Sequence, residues 1–418
     1  MTRPRAPLVV TGSELVRGER TDRNGPFLAR EVLERGLDPA RITIVGDGEQ
    51  ELESALREGL GADLMVTSGG LGPTHDDRTV ELVARVTGRA LHVDPALERT
   101  IGSVSRGFAE RLRRPYADFE PGVRKQASVP EGAVPVGLAG TAPGLVLEHE
   151  GCVVVVLPGP PAELRRLWAA ALDSGPLRRV LEQARPPGRR TLRFFGASES
   201  AIARALEAAG GERPGVEATI CARDFEIHVD LVVDQGAEEE ADALAAALVE
   251  PVEEWLFARD ERPVEELVLA LCRARGLTLV TAESCTGGLV AERLTRVAGS
   301  SDVFLGALVA YADEVKATWL GVPTRLLETH GAVSAEVAAA MAAGARERFG
   351  ADVSIGITGV AGPGGGTPKK PVGLVYVAVE TPDAARVIDF SYPSDRAAIR
   401  SRAAVASLHL ARRMLTQS

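Results

Sequence analysis

Residues 277–294 read LTLVTAESCTGGLVAERL and carry the pattern that decides the fold. Residues 277–282 form a short apolar and β-branched run that predicts a strand, and residues 287–294 have the spacing of a helix. Ligands of open α/β sheets bind beyond the carboxyl ends of strands, and helix N-terminal amides suit a phosphate or an oxyanion. The stretch therefore predicts an α/β fold with a site at this turn, where Ser284 is either a nucleophile or a helix N-cap.

The next polar segment towards the C-terminus, YADEVK at 311–316, follows a strand predicted over 306–310. A strand end that feeds a short helix would bring Tyr311 and Lys316 to the same sheet edge as Ser284. A serine nucleophile needs a base, and a partly desolvated lysine can supply one where no histidine is near. The alternative is that Tyr311 packs and Lys316 is a solvated surface charge.

A third loop, ITGVAGPGGGTPKKPVG at 357–373, follows a strand predicted over 353–358. Loops rich in glycine and proline either cradle phosphates with backbone amides or connect elements flexibly. This one lacks the GK[ST] of a phosphate-binding P-loop, and it lacks the spacing and the following helix of a dinucleotide fingerprint. Three turns at strand ends could thus share one cleft.

Alternation of strands and helices also fills the N-terminal part of the chain, where strands are predicted over 7–11, 41–45 and 64–67, with helices over 21–36 and 49–59. Such alternation predicts a parallel sheet covered on both faces. The third strand leads into TSGGLGPTHDDRT at 67–79. Its glycines suit a phosphate cradle, and its acidic pair offers hard oxygen ligands to a divalent cation. A glycine-rich turn capped by an aspartate is the alternative.

Residues 264–415 resemble the C-terminal domain of the CinA family of competence/damage-inducible proteins. The matching signatures are AESCTGGL at 282–289, FLGALVAYADEVKATWLGV at 304–322, HGAVSAEVA at 330–338 and the loop at 357–373. That domain is similar to nicotinamide mononucleotide deamidase, which hydrolyses the carboxamide to nicotinate mononucleotide and ammonia. Gly364 is one departure, because an acidic or polar residue is frequent there in the family.

The resemblance implies roles for individual residues of this site. Ser284 would be the nucleophile, activated by Lys316 and Tyr311, and no cofactor would be needed. The residues implied in binding are Thr286, Gly287 and Gly288 for phosphate or amide, Thr358, Gly359 and Gly362 for substrate or oxyanion, and Arg396 and Arg400 for the ribose phosphate. Arginine suits phosphate through its fork of donors, although an exposed helix arginine is more often solvated.

Residues 6–175 resemble the molybdopterin-binding fold family, in the form of the CinA N-terminal domain. This resemblance implies an ADP-ribose pyrophosphatase assisted by a divalent metal such as Mg²⁺. The implied ligands of the substrate are Gly69, Gly70, Gly72 and Thr74, and those of the metal are Asp76 and Asp77, with Glu14 and Asp22 as weaker candidates. The chain departs from the family at RTDRN (residues 20–24) and at His75.

The middle of the chain, residues 191–250, resembles the KH-like linker of the same family, including FFGASESAIARAL at 194–206. It lacks the GxxG loop through which KH domains bind RNA, so it is interpreted as a spacer. The expected organisation is a three-layer molybdopterin-binding-like domain at 1–175, a small KH-like α+β linker at 176–258 and a three-layer α/β deamidase domain at 259–418.

Composition limits the partners. The net charge of −10 argues against nucleic acid, four scattered cysteines indicate a reduced compartment, and no apolar run is long enough to span a membrane. We expect a cytoplasmic protein whose ligands are nucleotides, namely nicotinamide mononucleotide and ADP-ribose, and which forms a homodimer like CinA relatives. A non-catalytic molybdopterin- or nucleotide-binding regulator linked to competence or DNA damage is the alternative.

Overall fold

The computed structural model describes residues 3–417. The chain forms two compact units, one comprising residues up to Gly188 together with Val232–Glu238, and the other comprising Arg189–Leu231 and Glu239 onward. No helix in the described part of the chain combines the length and apolarity needed to cross a membrane.

The first unit is built on a mixed sheet of six strands in the order β2-β1-β3-β8-β7-β6. Its elements are β1 Leu8–Thr11, α1 Ser13–Val16, α2 Asn24–Glu34, β2 Ile42–Val45, α3 Glu49–Gly59, β3 Leu64–Ser68, α4 Thr79–Val86, β4 Leu91–Val93, α5 Pro95–Leu112, α6 Glu120–Gln126, β5 Ser128–Pro130, β6 Val134–Ala139, β7 Ala142–His149, β8 Cys152–Leu157, α7 Pro161–Leu172 and α8 Gly175–Gln183. Apolar clusters cover the sheet on both faces.

The middle module is a sheet of four strands in the order β10-β11-β9-β12 with two helices. Its elements are β9 Gly188–Phe194, α9 Glu199–Ala208, β10 Val216–Arg223, β11 Glu226–Val233, α10 Glu238–Val249 and β12 Leu256–Ala258. The α+β composition expected of this linker is confirmed. The short strand β12 was not predicted; it lies where the sequence suggested a boundary.

The C-terminal domain has a mixed sheet of five strands in the order β14-β13-β15-β16-β17. Its elements are α11 Val264–Arg275, β13 Leu279–Glu283, α12 Leu289–Thr295, β14 Phe304–Val309, α13 Asp313–Leu320, α14 Thr324–His330, α15 Ala335–Phe349, β15 Val353–Gly359, β16 Leu374–Glu380, β17 Ala385–Ser391 and α16 Arg396–Gln417. Helix α15 packs on one face and helices α11, α12 and α16 pack on the other.

The expectation of a wholly parallel N-terminal sheet is wrong. Strands β2, β1, β3 and β8 run parallel, but β7 and β6 run antiparallel to their neighbours. In the same way β16 and β17 run antiparallel beside the parallel β14, β13 and β15. The connections β6–β7, β7–β8 and β16–β17 are too short for a parallel crossover, so these strands must return as hairpins.

Candidate active site

The turn that follows β13 holds Ser284 at the carboxyl end of an internal strand of the sheet. The Ser284 amide donates to the Ile357 carbonyl at 2.9 Å, which ties the turn to β15. The glycines Gly287 and Gly288 have φ angles of 60° and 92°, values that favour glycine over other residues. Ser284 is 8% exposed, and its hydroxyl forms no hydrogen bond to any residue within 3–417. The nucleophile candidate is therefore nearly buried and its oxygen is uncommitted.

The residue before it, Glu283, is fully buried and caps the next helix from inside the turn. Its carboxylate accepts hydrogen bonds from the amides of Gly288 at 3.0 Å, Val290 at 3.1 Å and Ala291 at 2.9 Å. These are the first amides of α12, the groups that would attract an anion. The site at the helix N-terminus is already filled by this chain's own carboxylate.

The backbone amides of this turn that were predicted to bind a phosphate or an amide are therefore occupied by other groups of the chain. The Gly287 amide donates to the Ser284 carbonyl at 3.1 Å, and the Gly288 amide donates to Glu283. Thr286 is buried, and no described residue pairs with its hydroxyl. These bonds occupy the Gly287 and Gly288 amides, whereas the predicted role of Thr286 stays a prediction. The sequence prediction rested on the glycines and missed Glu283, which lies six residues before α12 begins and outside the N-cap position where capping residues are recognised.

Lys316 lies on α13 and is 1% exposed. Its Nζ atom donates to the Tyr311 carbonyl at 3.0 Å and to Asp313 Oδ1 at 3.2 Å. A lysine this deeply buried is rare unless it is paired or functional. The alternative reading of Lys316 as a solvated surface charge is therefore wrong. Asp313, three residues before it, was not singled out from sequence.

Tyr311 is held differently from the way its proposed role requires. Its ring is 60% exposed, and its hydroxyl accepts a hydrogen bond from Arg396 Nη2 at 2.7 Å. The other arm of Arg396 donates to the Gly362 carbonyl at 2.6 Å. Arg396 thus joins the tyrosine to the loop after β15, and it is exposed at the rim of the site.

Arg400, one turn further along α16, points to the nucleophile turn. Its Nε and Nη2 atoms donate to the Thr286 carbonyl at 3.2 and 2.6 Å. A guanidinium committed to a backbone carbonyl by two bonds is a positioning group. We therefore place Arg400 behind the turn, whereas Arg396 is the arginine that faces the open side.

The end of β15 supplies Thr358 and Gly359. The Thr358 hydroxyl donates to the Ala332 carbonyl at 2.7 Å, and because a hydroxyl has one proton, it can only accept from a ligand. A side chain on Gly359 would meet the Leu374 carbonyl at 2.8 Å. The glycine is therefore required by the neighbouring strand β16.

These turns enclose one cavity of about 220 Å³. It brings together six of the predicted residues, namely Ser284, Lys316, Tyr311, Thr358, Gly359 and Arg396. The remaining lining residues, Cys285, Asp313, Ala332, Val333 and Ala361, were not predicted. The other predicted residues, namely Thr286, Gly287, Gly288, Gly362 and Arg400, do not line this cavity.

The neighbouring Cys285 is a second nucleophilic side chain in this cavity. Burial raises the pKa of its thiol to about 12. Only the thiolate is a strong nucleophile, so Cys285 is inert near neutral pH. Ser284 is left as the nucleophile that the cavity offers.

The glycine-rich loop after β3 is organised by its own acidic residues. The Thr74 hydroxyl lies 2.5 Å from both Asp76 Oδ1 and Asp77 Oδ2, and the Thr74 amide donates to Asp77 at 3.0 Å. The hydrogen bond from Thr74 holds the pKa of Asp76 below its usual range. A side chain on Gly72 would come within 2.4 Å of Asp77 Oδ2. This arrangement resembles a self-capped turn.

Two cavities adjoin this loop, one of about 220 Å³ and one of about 290 Å³. Both are lined by Gly70, Gly72 and Asp77, whereas Asp76 points to solvent. The backbone of Gly69 approaches the Thr11 carbonyl so closely that a side chain would lie 2.3 Å from it. Gly69 is thus a packing residue of the sheet edge.

A larger cavity of about 590 Å³ lies beyond β1 and contains the other two predicted metal ligands, Glu14 and Asp22. Asp22 caps α2, because its carboxylate accepts from the amides of Asn24 at 2.8 Å and Gly25 at 3.1 Å. Asn24 is buried, and its Oδ1 has no partner among the described residues. An unpaired buried acceptor in a cavity wall points to a ligand donor.

The four acidic residues are not gathered around one cavity. Glu14 and Asp22 line one cavity, Asp77 lines two others and Asp76 lines none of them. Within residues 3–417, no three His, Cys, Asp or Glu side chains are grouped closely enough to hold a metal ion. Mg²⁺ usually keeps several waters and binds through one or two carboxylates together with substrate phosphates, so metal binding by Asp76 and Asp77, with Glu14 and Asp22 as weaker candidates, stays a prediction.

Comparison with protein families assigns a class to each part of the chain. Residues 8–176 match the probable molybdopterin binding domain, residues 189–259 match the KH domain of damage-inducible protein CinA, and residues 261–415 match the CinA C-terminal domain. The chain is an α/β protein with a molybdopterin-binding domain, a KH-like middle domain and a CinA C-terminal domain, all as the fold class predicted.

The chain belongs to the CinA-like protein family. It is 43% identical over 423 residues to the CinA-like protein of Mycolicibacterium gilvum, covering 99% of both chains. It is 43% identical over 422 residues to that of Mycobacterium tuberculosis strain H37Ra, covering 99% of this chain and 97% of the relative. A solved competence/damage inducible protein from Agrobacterium tumefaciens is 38% identical with a TM-score of 0.35, covering 38% of this chain and 100% of that one.

Proposed function

We propose that the C-terminal domain hydrolyses the carboxamide of nicotinamide mononucleotide to nicotinate mononucleotide and ammonia, with Ser284 as nucleophile. The observation that carries this proposal is that an uncommitted serine hydroxyl and a lysine 1% exposed line the same cavity. Desolvated lysine next to serine is a known way to activate a hydroxyl without histidine. Membership of the CinA family, whose C-terminal domain is associated with this amidase activity, agrees with it.

The reaction requires two acyl-transfer steps. Ser284 Oγ attacks the amide carbon while its proton passes to Lys316 Nζ, which must be in the amine form at that moment. Breaking the C–N bond returns this proton to the leaving nitrogen, so ammonia departs and an ester to Ser284 remains. Water then attacks the ester, and its proton follows the same route to release the carboxylic acid and the free serine. The Tyr311 carbonyl and the Asp313 carboxylate hold Nζ throughout.

The volume of the cavity and the charge at its rim indicate how the substrate binds. The cavity of about 220 Å³ is smaller than the roughly 300–1,000 Å³ of sites that take a whole drug-sized ligand. It suits the nicotinamide ring, with the ribose phosphate outside. Arg396 stands exposed at that rim, and its guanidinium suits a phosphate. No phosphate is assigned to the α12 amides, because Glu283 occupies them.

A second candidate activity, cleavage of ADP-ribose at its diphosphate, belongs to the N-terminal domain. The observation that favours a ligand there is the unpaired Asn24 Oδ1 in the wall of the 590 Å³ cavity. The same cavity is lined by Arg20 and Arg23, which suit a diphosphate. The described acidic side chains of this domain do not by themselves form a three-ligand metal site. Titration with ADP-ribose in EDTA tests this reading, because Asn24→Leu should abolish the binding heat.

The deciding experiment measures ammonia release from nicotinamide mononucleotide by wild type and by Ser284→Ala, with and without EDTA. Release that is metal-independent and lost in the variant supports the amidase and its nucleophile together. Ser301→Ala, at an exposed serine before β14, is the matched control and should retain full activity. Binding of the nucleotide without turnover by folded wild type would instead favour the regulatory, non-catalytic reading.

A further inference from the structure

Helix α16 contacts both the amidase site and the middle module. Its first two turns carry Arg396 and Arg400, which hold Tyr311 and the Thr286 carbonyl. Further along, Arg402 and His409 contact the middle module. Residues seven apart lie on one face of a helix, so Arg402 and His409 contact the module from the same face of α16. One rigid element therefore links the module to the nucleophile turn.

His409 is inserted into the middle module. It is fully buried, and its Nε2 donates to Glu226 Oε1 at 2.7 Å. Its ring stacks on Phe195 at 3.8 Å between centroids and meets Phe257 edge-on at 4.6 Å. Glu226, itself 4% exposed, also pairs with His228 at 3.2 Å. A buried carboxylate shared by two histidines, one of which packs against two aromatic rings, is costly to separate.

The adjacent turn of the module makes the second contact. Asp224 and Phe225 link β10 to β11 with φ angles of 52° and 66°, in the left-handed region that non-glycine residues rarely adopt. The Phe225 ring meets Tyr392 edge-on at 5.4 Å. The Arg402 guanidinium lies 5.5 Å from the Phe225 centroid and 4.8 Å from that of Tyr392. The contacts of its ring with Tyr392 and Arg402 hold Phe225 in this strained backbone conformation.

Tyr392 continues the path to the far side of the cavity. Its amide donates to the Gly373 carbonyl at 3.0 Å, and the Gly373 amide donates to the Val360 carbonyl at 2.8 Å. Val360 follows Gly359 and precedes Ala361, both of which line the cavity. Contacts of the β10–β11 turn thus lead to the nucleophile turn through α16 and to the loop after β15 through Tyr392.

We propose that Phe225 and Glu226 of the middle module are positioning residues of the amidase, which hold α16 and Tyr392 so that Arg400 and Val360 keep the two walls of the cavity in place. The module is then part of the catalytic unit rather than a spacer. The expected effect on kinetics rests on the proposed function. The expected effect on the order of the two cavity walls does not depend on any activity.

Phe225→Gly is the sharpest variant, because glycine adopts the turn's φ freely and the hairpin itself is not weakened. Two readouts are used on the full chain: hydrogen exchange of the segments 284–291 and 358–364, and steady-state kinetics with nicotinamide mononucleotide. We expect exchange in both segments to accelerate and kcat to fall at least about tenfold, since small misplacements of reacting groups are costly. Phe225→Tyr, which restores the ring, should restore both.

Thr219→Ala, at an exposed position of β10, is the matched control and should match wild type. Wild-type exchange and kinetics in Phe225→Gly would overturn the proposal, and so would faster exchange with unchanged kinetics. Should Phe225→Gly misfold, Arg402→Met, which keeps the packing stem and removes the guanidinium, takes its place with the same expected losses. If wild type releases no ammonia, the proposed function fails, whereas the exchange data still decide whether the module holds the two walls.

Discussion

The turn after β13 and the loop after β3 occupy equivalent places in their sheets, each at the carboxyl end of an internal strand and each rich in glycine. At the first, charged groups are buried: Glu283 in the turn is 0% exposed, and Lys316 of α13, which lines the same cavity as Ser284, is 1% exposed. In the second, Asp76 is exposed and bonded to Thr74. Buried charges must be compensated by bonds or used by function, whereas exposed acids in a self-capped turn need neither. The same residue types therefore line the proposed reaction centre in one place and form a turn in the other.

Among the variants of the C-terminal domain, replacement of the buried lysine is expected to lower the rate of ammonia release most. Lys316→Met keeps the length and apolar stem but removes the proton carrier, so ammonia release should fall on the order of 10³-fold. Steady-state assays on protein with an unchanged circular dichroism spectrum provide the measurement. Arg325→Met, at an exposed residue of α14, should leave the rate unchanged. Retention of more than a tenth of the activity would remove Lys316 from the mechanism.

Acid pH should weaken the contact between α16 and the middle module. Burial lowers the pKa of His409 from 6.5 to about 4; the carboxylate of Glu226 opposes this shift, and Arg412 and Arg413 add to it. Between these two pKa values His409 is protonated in the unfolded chain but neutral in the folded chain. The free energy of unfolding therefore falls as the pH drops from 6.5 towards 4, by about 3 kcal/mol in total. Urea denaturation at pH 7, 5.5 and 4 provides the measurement.

His409→Gln is the control for that pH dependence, since its amide can donate to Glu226 but does not titrate in this range. Its unfolding curves should change much less between pH 7 and pH 4 than those of wild type. Equal pH dependence of the two proteins would show that another group governs the acid sensitivity.

Glu283→Gln tests whether the turn after β13 depends on a carboxylate. The glutamine amide group would face helix amides that need acceptors, so we expect a loss of about 2 kcal/mol in the free energy of unfolding, together with lower amidase activity. Urea titration provides the value. Glu292→Gln on the same helix breaks only an exposed pair with Arg296 and should cost no more than about 0.5 kcal/mol. Similar losses in both variants would contradict a special role for Glu283.

The smallest expected effect concerns metal. Because the described acidic residues of the N-terminal domain do not group into a three-ligand site, calorimetry with Mg²⁺ alone should detect no binding tighter than about millimolar. Asp76→Asn should leave that result unchanged. Tight Mg²⁺ binding that is lost in Asp76→Asn would erase the contrast between the two loops and support the predicted metal site.

Much of the fold could be predicted from sequence, because period and turn chemistry are local. The helix predicted over 49–59 is α3 at Glu49–Gly59, and the strand predicted over 64–67 is β3 at Leu64–Ser68. Strand direction was less accessible. The edge hairpins β6–β7 and β16–β17 depend on which neighbour pairs with which strand, and this is a tertiary choice that the alternating pattern does not encode.

The sequence by itself determined the class of protein and the cavity's main members, since Ser284, Tyr311 and Lys316 follow strands whose ends must meet at one sheet edge. Only the tertiary structure decided what each group can do. It placed Glu283 on the α12 amides, turned Arg400 to the Thr286 carbonyl and Arg396 to the rim, and separated Asp77 from Asp22. The physical reason is that burial and hydrogen-bond partners come from residues distant in the chain, and these partners determine whether a polar side chain is committed or free to react.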